Sequence, residues 1–183
     1  MIDGNEMLTL MSRRQSDRKY IDKPVEKEKI GRILEAGRLA PSACNGQPWK
    51  FIVVDDPLLR SEIAAAASAK VLRMNTFVDQ APIIIVVIRE KSNLSSRAGD
   101  IIKSKDYSLI DIGIATATMA YQASAEELGT CIIGWLDEKK IKSILKIPGS
   151  KKVELILTVG YTENNVRQKV RKPSGEVISF NSY

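Results

Sequence analysis

Apolar residues recur along this chain with two periods. Residues 26–40 place Ile30, Ile33, Leu34 and Gly37 at helical spacing and run into Pro41, which ends the helix. The same reading predicts a short helix over 7–14, a longer one over 57–78 and a helix from the cap Asp137 to Lys146. Residues 51–55, 83–89, 130–135 and 153–161 read as strands. The longest apolar run, "APIIIVVI" from Ala81 to Ile88, suits a buried strand and is far below the ~18–20 residues that span a bilayer. Residues 19–25 read as extended, with Pro24 as a stop. Residues 92–105 are polar and weakly patterned, a loop or a short mobile helix, and the last twenty residues form an irregular tail ending "EVISFNSY".

Residues 107–128 are predicted as one long helix stopped by Gly129. Ile110, Ile112, Ile114, Ala115, Ala117, Met119, Ala120 and Ala123 spread around most of its surface, so the helix is central. Its small residues from Gly113 to Thr118 allow close backbone approach. Burial within one chain and packing against a second subunit both fit. Helices and strands interleave without repeat, linker or low-complexity tract, which predicts a layered α/β or α+β structure in a single domain over 1–183.

The composition, 44% hydrophobic with 5% aromatic residues, leaves the core to Ile, Val, Leu and Ala. The first residues lack a basic stretch followed by an apolar one, so no secretory signal is read. Cys44 and Cys131 fit no metal or redox spacing and suggest a reducing cytoplasm. The count of zero histidines excludes a Ser-His-Asp triad, a Cys-His pair, an imidazole metal site and a His general base. An enzyme built on this chain calls for a cofactor to carry the chemistry.

The net charge of +6 is concentrated in two places. "RRQSDRK" (13–19) carries +3 and "RQKVRK" (167–172) carries +4, which leaves −1 for all the rest. Three readings are open: a solvated basic face, a nucleic-acid surface, and a compact phosphate site built from both ends of the chain. No aromatics lie between the charges, which weighs against nucleic acid. In "RRQSDRKY", Arg14, Ser16 and Arg18 alternate, so on an extended backbone two guanidiniums and a hydroxyl share one side. Lys169 and Arg171 repeat the i, i+2 spacing near the other end.

Residues 41–49, "PSACNGQPW", join a helix to a strand. Ser42, Asn45 and Gln47 there either satisfy loop backbone groups or bond a planar polar heterocycle. In "TCIIGWLD", Gly134 at a strand end either closes the strand or lets backbone N–H groups approach a ligand.

The ordered set R-x-S-x-R, P-S-x-x-N-x-Q-P-W before an apolar strand, a strand ending in Gly, "VGY" and K-x-R-x-P resembles the FMN-dependent nitroreductase family over about residues 8–177. The resemblance implies an α+β fold, with a mixed, mostly antiparallel sheet wrapped by helices. It also implies an obligate homodimer with two FMN sites at its interface and exchanged C-terminal segments. Arg14, Gln15, Ser16 and Arg18 match positions that grip the FMN phosphate and part of its ring system, and Lys169 and Arg171 match the pair that completes the phosphate site. Ile133 and Gly134 match positions whose backbone N–H groups face flavin N5. Pro41, Ser42 and Asn45 match a turn that approaches the flavin from the partner subunit; Gln47 belongs to the same signature, and Trp49 is expected to anchor the turn in the core. The implied activity is NAD(P)H oxidation with hydride transfer to nitroaromatic, quinone or similar acceptors in a ping-pong cycle, with no nucleic acid, metal or membrane involved. A flavin-binding protein without turnover, a store or sensor, is the alternative. Three departures from the family pattern stand out: the chain is short, residues 87–111 hold a polar stretch where many members have extra helices, and Ile133 replaces an acidic residue found in several members.

Overall fold

The computed structural model describes residues 3–68, 74–91 and 106–183. The elements in chain order are α1 (Gly4–Arg13), α2 (Lys27–Arg38), a 3-10 turn (Ala43–Asn45), β1 (Trp49–Val54), α3 (Pro57–Ala67), a second 3-10 turn (Thr76–Gln80), β2 (Ile83–Arg89), α4 (Tyr107–Ala125), β3 (Gly129–Ile133), α5 (Glu138–Ile144), β4 (Lys152–Gly160) and α6 (Ser174–Val177). The four strands form one sheet in the order β1-β2-β4-β3, and every strand pairing is antiparallel. Among the described residues a parallel component enters as a single bridge between Ser16, outside the strands, and Thr130 of β3.

The run 81–88 is apolar throughout because β2 is buried on both faces. Ile84, Val86 and Ile88 face a core shared with Val54, Ile63, Val78, Ile141 and Ile156. Ile83, Ile85 and Val87 face the opposite core, with Ile33, Ile112, Met119, Leu128 and Leu157. Alternate side chains of a strand point to opposite faces, so one continuous apolar run serves two cores. The result is a three-layer arrangement: α3 and α5 on one side, the sheet in the middle, α2 and α4 on the other.

Local chemistry sets the helix ends. Asp56 caps α3 by accepting from the Leu59 N–H at 2.9 Å, ahead of Pro57 in the first turn. Asp137 caps α5 through the Lys140 N–H at 3.0 Å, as its position in the sequence predicts. The expected helix over 57–78 is instead α3 followed by a separate 3-10 turn, with residues 69–73 outside the described part. The expected loop over 92–105 also lies outside the described residues. The tail contains the single turn α6, and all its residues from 171 onward are exposed.

The long helix stops earlier than expected, at Ala125, and Gly129 is not its stop. Glu127 takes the left-handed conformation (φ 62°), and Gly129 opens β3. A C-terminal clamp holds the helix end. Arg32 grips Glu126 with two bonds of 2.6 and 2.8 Å, and Lys29 Nζ donates to the Glu126 carbonyl at 2.8 Å. The guanidinium holds the Glu126 carboxyl down at about 2.

Gly129 and Gly160 sit opposite each other in the β3–β4 register. Both are required by close approach. A Cβ on Gly129 would lie 2.8 Å from Asp17 Oδ2, and one on Gly160 would lie 2.5 Å from Pro82 Cδ and 3.0 Å from Tyr20 Cδ1. The proline ring cannot move aside without moving the backbone. Gly160→Ala is therefore expected to destabilise the fold by about 1–3 kcal/mol, the usual cost of overpacking, read as a lowered urea midpoint at unchanged m-value. An unchanged midpoint would show that this corner is looser than its distances indicate.

Candidate functional site

Residues 14–18 leave α1 and run alongside the start of β3, with the Asp17 N–H donating to the Thr130 carbonyl at 2.8 Å. This extended path produces the alternation expected from the sequence. Gln15 and Asp17 are buried, Arg14 and Ser16 are partly exposed, and Arg18 is exposed. The outward set meets the basic tail. Arg14, Ser16 and Arg18 line one cleft together with Arg167, Lys169 and Arg171, some 150 residues away in the chain, with a volume of about 440 Å³.

Among the described residues no acid forms an ion pair with any of these five cations. Lys169 Nζ donates to the Arg14 carbonyl oxygen. Partial burial, and then the charges of Arg14, Arg171 and Arg167, push the Lys169 ammonium below the usual lysine range. Guanidiniums, an ammonium and a hydroxyl that converge without a counter-acid fit a phosphate ester, which takes charge-assisted bonds from several donors at once.

Like charges do not assemble unaided, and the inward residues supply the restraint. The Gln15 Oε1 accepts from the Arg167 N–H at 3.0 Å and from Arg167 Nε at 3.3 Å. The Gln15 Nε2 donates to Asp17 Oδ1 at 2.9 Å and to the Asn165 carbonyl at 3.1 Å. Both hydrogens and both lone pairs of the amide are thereby committed within the chain. Asp17 also accepts from Asn164 Nδ2 at 3.2 Å, and Arg167 Nη2 reaches the Ser16 carbonyl at 2.8 Å. Below them the Tyr20 hydroxyl bonds Thr158 Oγ1 at 2.6 Å and the Asp17 carbonyl at 3.1 Å, and burial pushes the phenol well above its ordinary range. Asp17, Asn164, Asn165 and Arg167 were not singled out as site residues by the sequence reading. The available signs were a lone acid inside a basic motif and the place of Arg167 in the basic cluster 167–172.

The turn at 41–49 is strained in its own right. Cys44, Asn45 and Gln47 all have positive φ, at 50°, 52° and 44°, and none is glycine. Such conformations cost about 1–3 kcal/mol each and persist where surroundings enforce them. Here the Gln47 N–H donates to Ser42 Oγ at 3.1 Å, and Gln47 Nε2 donates to Asn45 Oδ1 at 2.9 Å. The Ala43 N–H donates to Asp111 Oδ1 on α4 at 3.0 Å, and the buried Asp111 Oδ2 has no hydrogen-bond partner among the described residues. Pro41, Asn45 and Gln47 are exposed, and none of these turn residues lines the basic cleft. Trp49 is half-buried, packs against the core beneath α2 and α4 as expected, and stacks on Phe51 at 6.4 Å between centroids, next to the buried Pro48.

Ile133 is the buried last residue of β3, and Gly134 follows it, exposed, with open space where a Cβ would stand. Neither lines the basic cleft, which sits at the other end of the strand, roughly 10–14 Å back at about 3.4 Å per residue. Within one chain the structure joins Arg14, Gln15, Ser16, Arg18, Lys169 and Arg171, and leaves Pro41, Ser42, Asn45 and Gln47 on a separate turn. Cys131, beside Ser16, is buried, which raises its thiol above the usual range.

An antiparallel sheet between two helical layers, with a basic cleft made from both chain ends, defines an α+β protein. The sequence model of the Nitroreductase family matches residues 11–161, and the chain belongs to that family. It is 26% identical over 191 residues to the FMN reductase [NAD(P)H] of Bacillus subtilis (strain 168), covering 98% of this chain and 75% of that one. A nitroreductase family protein from Clostridium novyi NT superposes with a TM-score of 0.76 at 30% identity, covering 87% and 86% of the two chains. An FMN-dependent nitroreductase from Clostridium difficile R20291 gives 0.76 at 29% identity, covering 96% and 99%.

The Gln15 amide predicts a mechanical effect. Gln15→Ala removes three hydrogen bonds that hold 165–167 against the extended segment and a fourth, to Asp17, within that segment. Backbone amides of residues 164–171 should exchange with deuterium at least about tenfold faster, as expected for the loss of ~1–2 kcal/mol of local closure, while β2 and β4 stay protected. Unchanged exchange in the tail would mean that other contacts hold it.

Proposed function

We propose that this chain is an FMN-dependent NAD(P)H oxidoreductase that acts as a homodimer and passes hydride to nitroaromatics, quinones or similar electron-poor acceptors in a ping-pong cycle. The observation that carries this reading is the cleft where Arg14, Ser16, Arg18, Lys169 and Arg171 converge with no acid ion-paired to them among the described residues. The names of the Bacillus and Clostridium difficile relatives, an FMN reductase and an FMN-dependent nitroreductase, support the cofactor.

FMN, when bound, supplies hydride acceptance from NAD(P)H and hydride donation to the acceptor. Arg14, Arg18, Lys169 and Arg171 hold the phosphate by charge, and Ser16 adds a neutral donor. Gln15 works one layer below, keeping the tail that carries Lys169 and Arg171 in place. Ile133 and Gly134 offer backbone N–H groups at an uncovered strand end. No histidine is present to move a proton, and burial keeps the Cys131 thiol protonated. The chain's contribution is therefore binding, orientation and electrostatics.

The dimer is supported by surfaces that one chain leaves uncovered. On α4, Leu109 and Ile110 are 45% and 44% exposed beside the exposed Gly113, and on the tail Val177, Ile178 and Phe180 are 55–85% exposed. Apolar surface of this extent is characteristic of stable subunit interfaces. A second copy would also bring Pro41, Ser42, Asn45 and Gln47 to the flavin, giving their enforced backbone a use. No helix among the described residues is long and apolar enough to cross a membrane.

The purified protein should carry the visible absorption of a flavin, and anaerobic NADH or NADPH should bleach it. In the same assay Arg171→Ala should weaken FMN binding about tenfold to a hundredfold, as for one charge-assisted contact of about 1.5–3 kcal/mol, while the dimer persists in light scattering. A colourless protein that does not take up FMN, or an Arg171→Ala variant that binds it like wild type, would contradict the reading.

A further inference from the structure

The basic cleft does not end at Arg18. A second cleft of about 400 Å³ adjoins it and shares Ser16, Arg18 and Arg167 as a common wall. Its remaining lining is Asp17, Lys19, Asn164 and Asn165. Two clefts with one wall form a continuous track, and its charge exceeds what one phosphate can balance. Arg14, Arg18, Lys19, Arg167, Lys169 and Arg171 supply six positive charges. The one acid among the lining residues, Asp17, is 5% exposed and turned to the Gln15 and Asn164 amides. A single phosphate monoester brings only about −1.5 to −2, so a net charge of about +3 is left around the track.

The second cleft is also organised for an anion. The Arg167 guanidinium is fixed by bonds to the Ser16 carbonyl and the Gln15 amide. Asn164 is braced through Nδ2 to Asp17 and to the Lys19 carbonyl at 3.4 Å, which pins the backbone that bears Lys19. The side chains of Arg18 and Lys19 make no hydrogen bond or ion pair among the described residues, and Asn165 lines the same cleft.

We propose that this second cleft is a subsite for a further nucleotide phosphate, separate from the one that FMN places against Lys169 and Arg171. The inference rests on the FMN reading above. Two sources carry that chemistry: the electron-donating dinucleotide, through its pyrophosphate or the 2′-phosphate of NADPH, and FAD, through its second phosphate. Lys19 is the diagnostic residue, because it lines the second cleft and not the first.

The experiment begins with FMN titration of the apoprotein. The FMN-saturated protein is then titrated calorimetrically with inorganic pyrophosphate and with adenosine 2′,5′-bisphosphate at low ionic strength. Both probes should bind wild type, and Lys19→Ala should weaken them about threefold to fivefold, the range of an exposed charge pair, with FMN affinity changed less than twofold. A lowered NADPH-to-NADH ratio of kcat/KM in Lys19→Ala, with FAD far weaker than FMN, assigns the subsite to the donor. FAD that binds as tightly as FMN, and loses affinity in Lys19→Ala, assigns it to the flavin. FMN-saturated protein that ignores both probes, or probes indifferent to Lys19→Ala, overturns the second subsite alone. Failure of the apoprotein to bind FMN in the first titration would remove both readings.

Discussion

Five cationic side chains from opposite ends of the chain share one cleft, and their mutual repulsion is the constraint around which this end of the molecule is built. Coulomb repulsion between partly exposed charges a few ångströms apart is on the order of 1–4 kcal/mol per pair. The answer is a layer of neutral amides directly beneath. Gln15 closes four bonds with Asp17, Asn165 and Arg167, so the tail is held through a neutral amide, and among the described residues no acid is ion-paired with its cations. An acid paired directly with each cation would hold the tail as well, but would occupy the donors that a phosphate needs. One buried carboxylate, Asp17, offsets part of the charge from behind without entering the cleft.

The sheet supplies the rigid frame for this arrangement. The double-faced burial of β2 locks the central strand, and β4 carries the frame outward to β3, where Thr130 pairs with Ser16. Gly129 and Gly160, opposed across β3 and β4, let Asp17 and Tyr20 pack against strand backbone at contact distance. Gly129, read from sequence as a helix stop, thus acts here, like Gly160, through the side chain it lacks. The same frame places Asp111 of α4 under the strained turn at 43–47, so that two separated polar elements are each braced from the core.

What was legible in the sequence was what depends on local spacing. The alternation of Arg14, Ser16 and Arg18 needed only an extended backbone, and the apolar runs of the strands needed only burial. The Asp137 cap was readable because its acceptor sits three residues from its donor. The latch was not readable, since Gln15 and Arg167 are separated by 152 positions and no local pattern encodes their meeting. The end of α4 was misplaced for a related reason. Gly129 has the residue type expected of a helix stop, but Glu127, held between the Glu126–Arg32 clamp and Leu128 in the core, takes the left-handed turn instead. The turn at 41–49 was recognisable as a motif, yet its strain and its brace on Asp111 appear only in three dimensions.

The central claim is that the joined chain ends form a phosphate site, and the most direct measurement compares two flavins that differ by that group alone. Fluorescence titration of the apoprotein with FMN and with riboflavin, repeated over a range of salt concentrations, reads the phosphate contribution as a ratio of affinities. The account predicts FMN at least about a hundredfold tighter, the scale of two or more charge-assisted contacts, with the advantage shrinking as salt rises. Equal affinities for the two flavins, unaffected by salt, would contradict it.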